Sequence, residues 1–320
     1  MVRILDVYSG MGGLSLGFAL ALRAEIEGID IDGGAVAAYN LNLSRFGCRA
    51  RVGDALRWKP EKGGYDIVVG GPPCEPFSRI NVRNAGVSHP LYPTLPRFFE
   101  IAREVEPAAL LMENVPELLT RYGQLLSALL SKLDGYRVRA AVIDASRYGV
   151  PQRRRRLFVV GVRGDLGVEP RLPPPTHRSP VTVREAIGDL GEPGEVYRGA
   201  ASKIWLSRDR RAKWGEPAPT LLATARYAPL HPEQPRRLSV REYLRLQTFP
   251  DWWRLPRLSV AEKYRLAGEA VPPALAYRLA VSLARCLGLK AAPPREEEWS
   301  LPYFRRLFQD YCGGPLLMSQ

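Results

Sequence analysis

The chain has 320 residues, with 46 Lys and Arg against 33 Asp and Glu and a formal net charge of +13. A content of 46% hydrophobic and 25% charged residues excludes a disordered or fibrous chain, and no run reaches the ~18 apolar residues of a membrane span. Residues 147–257 hold 22 basic against 11 acidic side chains, so nearly all the surplus sits in one third of the chain, the footprint of a polyanionic partner.

MVRILDVYSG enters a strand pattern directly and carries no export signal. Cys48, Cys74, Cys286 and Cys312 lack CxxC spacing, and His89, His177 and His231 lie far apart. Neither a disulfide framework nor a zinc site is expected, and the chain reads as cytoplasmic and metal-free.

The first 160 residues alternate strand and helix signals. VRILDVYS is an apolar run closed by glycines, and LSLGFALALR follows with helical spacing. AEIEGIDID predicts a second strand and AVAAYNLNLSRF a helix. YDIVVGG and AALLMENV suit buried parallel strands, and RVRAAVIDA and RLFVVGVR close the series. This alternation predicts an α/β fold, a doubly wound sheet with helices on both faces. From about Gly164 the texture changes: EPRLPPPTHRSP is proline-rich and basic, which marks a domain boundary. AEKYRLAGEAVPPALAYRLAVSLARCLGL returns to helical periodicity, with Pro272 and Pro273 where a first helical turn tolerates them. The expected division is 1–163 plus 262–290 as one domain, 164–261 as a smaller one, and 291–320 as a packing extension.

Four stretches carry chemistry. In DVYSGMGGLSLGF, Gly10, Gly12 and Gly13 let the backbone approach a ligand closely and aim amides at it. Ser15 stands where a GxGxxG fingerprint needs its third glycine. Asp30 ends the second strand, where an acid can hold ribose hydroxyls, and Asp54 follows the third. Together these suggest a nucleoside-bearing cofactor. In VVGGPPCEPFS, Cys74 follows a strand end, where open α/β sheets place ligands. A buried cysteine acting as a small hydrophobe is the common alternative, but the prolines around it make an exposed loop, which favours a nucleophile. Phe77 occupies the position where a zinc deaminase would need its second cysteine. Glu113, in LLMENVPELL, is a capping or solvated carboxylate on the bland reading and a proton donor or acceptor at a bound base on the functional one. In RYGVPQRRRRLFVVG, strand alternation puts Arg154 and Arg156 on one face and Arg153 and Arg155 on the other. One pair can enter a site while the other meets phosphates.

In order, DVYSGMGG, GPPCEPFS, MENV, PQRRRR, RRLSVREYLRLQTFPDWW and GEAVPP resemble the motif series of the cytosine-C5 DNA methyltransferases over roughly residues 4–285. The resemblance implies a Rossmann-like methyltransferase sheet with a small target-recognition domain, S-adenosylmethionine as cofactor, and access to a flipped-out cytosine in duplex DNA. It implies Cys74 as the nucleophile at C6, Glu113 at the base N3 and amino group, Arg156 at O2, and Arg154 as its companion; both arginines favour a nearby thiolate. Tyr8, Gly10, Gly12, Gly13, Asp30, Ile31, Asp54, Ala55, Pro73, Glu269 and Val271 fall at cofactor positions. Ser78, Arg79, Arg153, Arg155, Arg208, Arg210, Arg211 and Arg237 fall on the DNA side. Two residues depart from the family pattern: Glu75 stands for a glutamine and Glu269 for an asparagine. About residues 190–217 remain as a variable reader, short enough that few base pairs are read directly.

A monomeric enzyme of restriction–modification type is therefore expected, with a cognate restriction endonuclease as a separately acting partner. Two alternatives stay open. One is a tRNA cytosine-C5 methyltransferase, suggested by the Arg-Ile that ends PPCEPFSRI. The other is a family member that binds nucleic acid without turnover, suggested by Glu75 and Glu269.

Overall fold

Seven strands form one sheet over residues 1–78, 86–192, 194–199 and 211–312, the parts of the chain that this computed structural model describes. They are β1 (Arg3–Val7), β2 (Glu25–Asp30), β3 (Arg49–Val52), β4 (Ile67–Gly70), β5 (Ala109–Asn114), β6 (Tyr136–Asp144) and β7 (Arg155–Arg163), in the order β3-β2-β1-β4-β5-β7-β6. The neighbours from β3 to β5 pair in parallel. β7 runs antiparallel to both β5 and β6. Only residues 145–154 connect β6 to β7, too few for the crossover of a dozen or more that a parallel partner requires. The reversal brings Arg155 and Arg156, at the start of β7, to the sheet edge where the parallel strands end.

Helices cover both faces, as the alternation predicts. On one face, α1 (Gly13–Leu22) is buried at every residue, which its nearly unbroken apolar sequence requires. A Cβ on Gly17 would lie 2.4 Å from the Tyr277 amide nitrogen, so glycine permits close backbone packing there. α2 (Gly33–Leu43) starts at Asp32, whose side chain accepts from the Gly34 and Ala35 amides. On the other face, α3 (Thr94–Val105) lays Leu95, Phe98, Phe99 and Ala102 into a second core. Two short helices between β5 and β6, α4 (Glu117–Thr120) and α5 (Gly123–Leu130), add Leu118, Leu126 and Leu129 to the same core.

Three later helices, α6 (Val183–Ile187), α7 (Val240–Leu246) and α8 (Val260–Glu269), each open with a capping box: Thr182 with Glu185, Ser239 with Glu242, Ser259 with Glu262. The helical run around the prolines breaks at Ala270–Pro272, and α9 (Pro273–Cys286) begins at the second proline. Buried side chains between 181 and 253, including Leu221, Leu238, Tyr243 and Trp253, join the same hydrophobic cluster as α1 and α9. Past α9, the short helices α10 (Glu296–Trp299), α11 (Phe304–Leu307) and α12 (Gln309–Cys312) fold back on it. Trp299 and Phe308 are buried with ring centroids 4.8 Å apart, and Tyr277 lies 5.4 Å from Phe308. Beside them the buried Arg278 pairs with Asp310 at 2.6 Å. Among the described residues no helix is long and apolar enough to cross a membrane, and no cluster of three metal-ligating side chains occurs.

Candidate active site

The glycine turn after β1 is shaped by left-handed backbone at Tyr8 (φ 62°), Gly10 (φ 53°) and Gly12 (φ 93°). The Ser9 amide donates to the Ile29 carbonyl at 3.1 Å, which docks the turn on the end of β2. Asp30, at that strand end, accepts from the Gly10 amide at 2.7 Å and the Asp32 amide at 2.9 Å. Burial raises the Asp30 carboxyl above the ordinary aspartate value, and the Asp32 and Gly10 amides partly offset this. A Cβ on Gly13 would fall 2.2 Å from the Val271 carbonyl oxygen, so the GEAVPP turn lies directly against the glycine turn. Ile31 is 73% exposed beside Asp30, Ala55 is buried, and Asp54 accepts from the Leu56 amide at 2.9 Å. Tyr8 donates its hydroxyl to the Thr94 carbonyl at 3.0 Å, tying the turn to the start of α3. Beneath the turn, Ser15 donates to the buried Asp6 at 2.6 Å and Tyr39 donates to Ser15 at 2.9 Å, a polar stack that sequence pattern did not single out.

Cys74 is half-buried in the loop that follows β4; Pro73 precedes it and the amides of Phe77 and Ser78 both donate to its carbonyl at 3.0 Å. Asn114, the last residue of β5, donates to the Pro72 carbonyl at 3.0 Å and so holds this loop to the neighbouring strand. Glu113 precedes it and meets Arg156 Nε at 2.9 Å, with both side chains largely covered. The antiparallel register explains this pair: Glu113 lies opposite Phe158, and Arg156 is the diagonal neighbour on the same face.

Arginine alternation holds along the whole run. Arg153 and Arg155 are exposed, while Arg154 and Arg156 turn inward. Arg154 is buried and donates to the carbonyls of Leu221 at 3.3 Å and Glu269 at 3.4 Å. Burial, then the neighbouring Arg156, lowers its pKa to about 9. Arg153 pairs with Glu216 at 3.1 Å.

Burial pushes the Cys74 thiol up to about 12, Glu75 adds to this, and Arg156 and Arg154 only partly counter it. The arginines act in the expected direction, but burial outweighs them and the net shift is upward. Glu269 is raised to about 7; the cause is desolvation in a crowded cleft, with Arg265 opposing and Glu75, Asp30 and Asp32 adding to it. Nearly half of the Glu269 side chain remains open, and Arg265 Nη1 lies 2.9 Å from its carboxylate. The two residues that depart from the family pattern thus interact electrostatically with each other.

A buried amide pair links several motifs. Gln152 Nε2 donates to Gln247 Oε1 at 2.8 Å, Gln152 Oε1 accepts from the Leu221 amide at 2.9 Å, and Gln247 Nε2 donates to the Ala267 carbonyl at 2.6 Å. Pattern reading missed this because buried glutamines have no periodic signature. Of the residues expected on the DNA side, Arg211 and Arg237 bond to backbone carbonyls, and Arg79, Arg208 and Arg210 lie outside the described residues.

A family model described as C-5 cytosine-specific DNA methylase matches residues 2–216 and 194–285. Type II methyltransferase M.MthTI of Methanothermobacter thermautotrophicus is 32% identical over 329 residues, covering 89% of this chain and 97% of the relative. Type II methyltransferase M.BspRI of Lysinibacillus sphaericus is 31% identical, covering 88% and 81%. Among solved structures, the S. pombe Dnmt2 methyltransferase superposes with a TM-score of 0.67 at 19% identity, covering 90% of this chain and 99% of that one, a likeness of fold.

Proposed function

Since the chain belongs to the C-5 cytosine-specific DNA methylase family, an enzyme that methylates cytosine at C5 in DNA, we propose how its residues divide that work. Relatives named Type II methyltransferases support reading it as a modification enzyme, and we assign it a monomeric action on duplex DNA beside a separate endonuclease. S-adenosylmethionine is the methyl donor we assign. The fit rests on the chemistry at the glycine turn. Each Asp30 oxygen keeps a free lone pair for a ribose hydroxyl after taking its backbone amide. Exposed Ile31 offers an apolar face for an adenine, and a Cβ on Gly10 would meet nothing within 4 Å. Tyr8, Asp54, Ala55, Pro73, Glu269 and Val271 line the same cleft on this reading. When bound, the group supplies an electrophilic sulfonium methyl.

The chain's own residues prepare the base. Cys74 Sγ, once deprotonated, bonds to C6 of the flipped cytosine, which makes C5 nucleophilic. Glu113 holds a proton or hydrogen bond at N3 as charge develops there. Arg156 keeps the Glu113 carboxylate oriented and donates to O2, while Arg154 holds the Leu221 and Glu269 segments around the site. Once C5 carries the methyl group, its proton passes to water, the C5–C6 double bond re-forms, and the C6–Sγ bond breaks to release Cys74 as a thiolate. The observation that carries this reading is the Glu113–Arg156 pair, 2.9 Å apart across β5 and β7, with β5 tied to the Cys74 loop through Asn114. Residues 164–261 form the target-recognition unit in this account, with Ser78, Arg153 and Arg155 facing the duplex.

Incubation of the full chain with S-adenosylmethionine and plasmid DNA, followed by bisulfite sequencing, tests the proposal. New 5-methylcytosine is expected, and Cys74→Ser should remove it. Methylation of a tRNA transcript but not of plasmid would overturn the DNA assignment.

A further inference from the structure

Residues 194–199 and 211–217 are the described stems of the stretch assigned above to target reading. Each is tied by an arginine to the turn spanning 226–237. Arg237 Nη1 donates to the carbonyls of Tyr197 at 3.2 Å and Gly199 at 3.0 Å, and its Nη2 donates to the Arg226 carbonyl at 3.4 Å. Its guanidinium carbon lies 5.2 Å from the Tyr197 ring centroid. On the other stem, Arg211 Nη1 donates to the carbonyls of His231 at 2.6 Å and Gln234 at 3.1 Å. Backbone pairing follows the same path, because Leu230 bridges to both Arg211 and Arg237. The first stem has a further anchor in Lys263, whose Nζ meets the Glu195 carboxylate at 2.6 Å.

A guanidinium that contacts DNA phosphate turns its donors outward, whereas Arg237 spends donors of both terminal nitrogens on three carbonyls of its own chain. We infer that Arg237 and Arg211 are positioning residues that set the spacing of the two stems and thereby the target specificity, and that they are not phosphate contacts. The inference rests on the reading of the chain as a DNA cytosine methylase with its reader between these stems.

Lysine separates the two roles. It keeps the point charge that a phosphate contact needs but cannot reproduce a planar fork across several carbonyls. Full-length Arg237→Lys, Arg237→Ala and Arg211→Lys chains would be compared with the unmutated chain on a random-sequence duplex library, read by bisulfite sequencing. DNA affinity as a function of salt and S-adenosylmethionine affinity complete the comparison. Both lysine variants are expected to methylate the preferred target at least about tenfold less efficiently and to spread onto other sequences. Cofactor affinity and the logarithmic salt slope should stay at the unmutated values in all three variants.

Lysine variants indistinguishable from the unmutated chain would overturn the inference, as would a salt slope reduced by about one in Arg237→Ala. Lost cofactor binding in the lysine variants would also overturn it, because the arginines would then support the whole fold. Failure of the unmutated chain to methylate the library would instead sink the functional reading itself.

Discussion

Gln152 and Gln247, 95 residues apart in sequence, are both fully buried and joined side chain to side chain at 2.8 Å. The pair holds the two segments whose carbonyls receive Arg154. Gln152 binds the Leu221 amide, and Gln247 binds the Ala267 and Ala270 carbonyls on either side of Glu269. A Gln247→Glu change keeps the shape but removes the donors, leaving both carbonyls facing a carboxylate. A loss of about 1–3 kcal/mol in urea unfolding is expected, together with weaker S-adenosylmethionine binding. Unchanged cofactor affinity would show that the pair does not support the GEAVPP turn.

The Cys74 thiol predicts a pH signature. With its pKa raised to about 12 by burial and then Glu75, the thiolate fraction should grow about tenfold per pH unit across pH 6–9. Iodoacetamide labelling of the Cys74 peptide, followed by mass spectrometry, should show that slope in the free enzyme. Glu75→Gln removes a charge that raises the thiol, so labelling at a given pH should become faster. A plateau near pH 8 in the unmutated chain would contradict the raised value.

Arg155 is exposed, and among the described residues no ion pair involves it. As a phosphate contact, its replacement by alanine should weaken binding evenly across DNA sequences. The slope of log affinity against log salt should fall by about one. Filter binding on two unrelated duplexes at several salt concentrations would measure both.

The extension after α9 should be needed for stability. Trp299 is fully buried against Phe308, and Asp310 neutralises Arg278. Trp299→Ala should cost about 3–5 kcal/mol through the cavity it leaves. Truncation at 290 should cost more, because it also leaves the Arg278 charge buried and unpaired. A truncated chain with an unchanged thermal midpoint would show the extension to be dispensable.

Much of the site was legible because its motifs are local. A glycine turn, an acid at a strand end and a cysteine after a strand are each set by a few adjacent residues. Alternation along an extended segment was enough to separate Arg154 and Arg156 from Arg153 and Arg155. The Glu113–Arg156 pair was less legible, since it depends on β7 running antiparallel beside β5. Arg211 and Arg237 look like DNA contacts in a charge count, and only their carbonyl partners distinguish them.

The sequence by itself determined most strands in chain order, the helices that follow the first two strands, the helical run around Pro272 and Pro273, and the family with its motif residues, because apolar periodicity and short motifs are properties of neighbouring positions. Tertiary structure decided that β7 inserts between β5 and β6, that burial raises the Cys74 thiol despite the two nearby arginines, and that several arginines spend their donors inside the protein. Those outcomes depend on burial and on partners tens of residues away, such as Gln247 for Gln152 and Tyr197 for Arg237. The +13 net charge therefore overstates the charge free to meet DNA, because Arg154 and Arg237 spend donors on neutral backbone carbonyls within the fold, where no acid already cancels them in that sum.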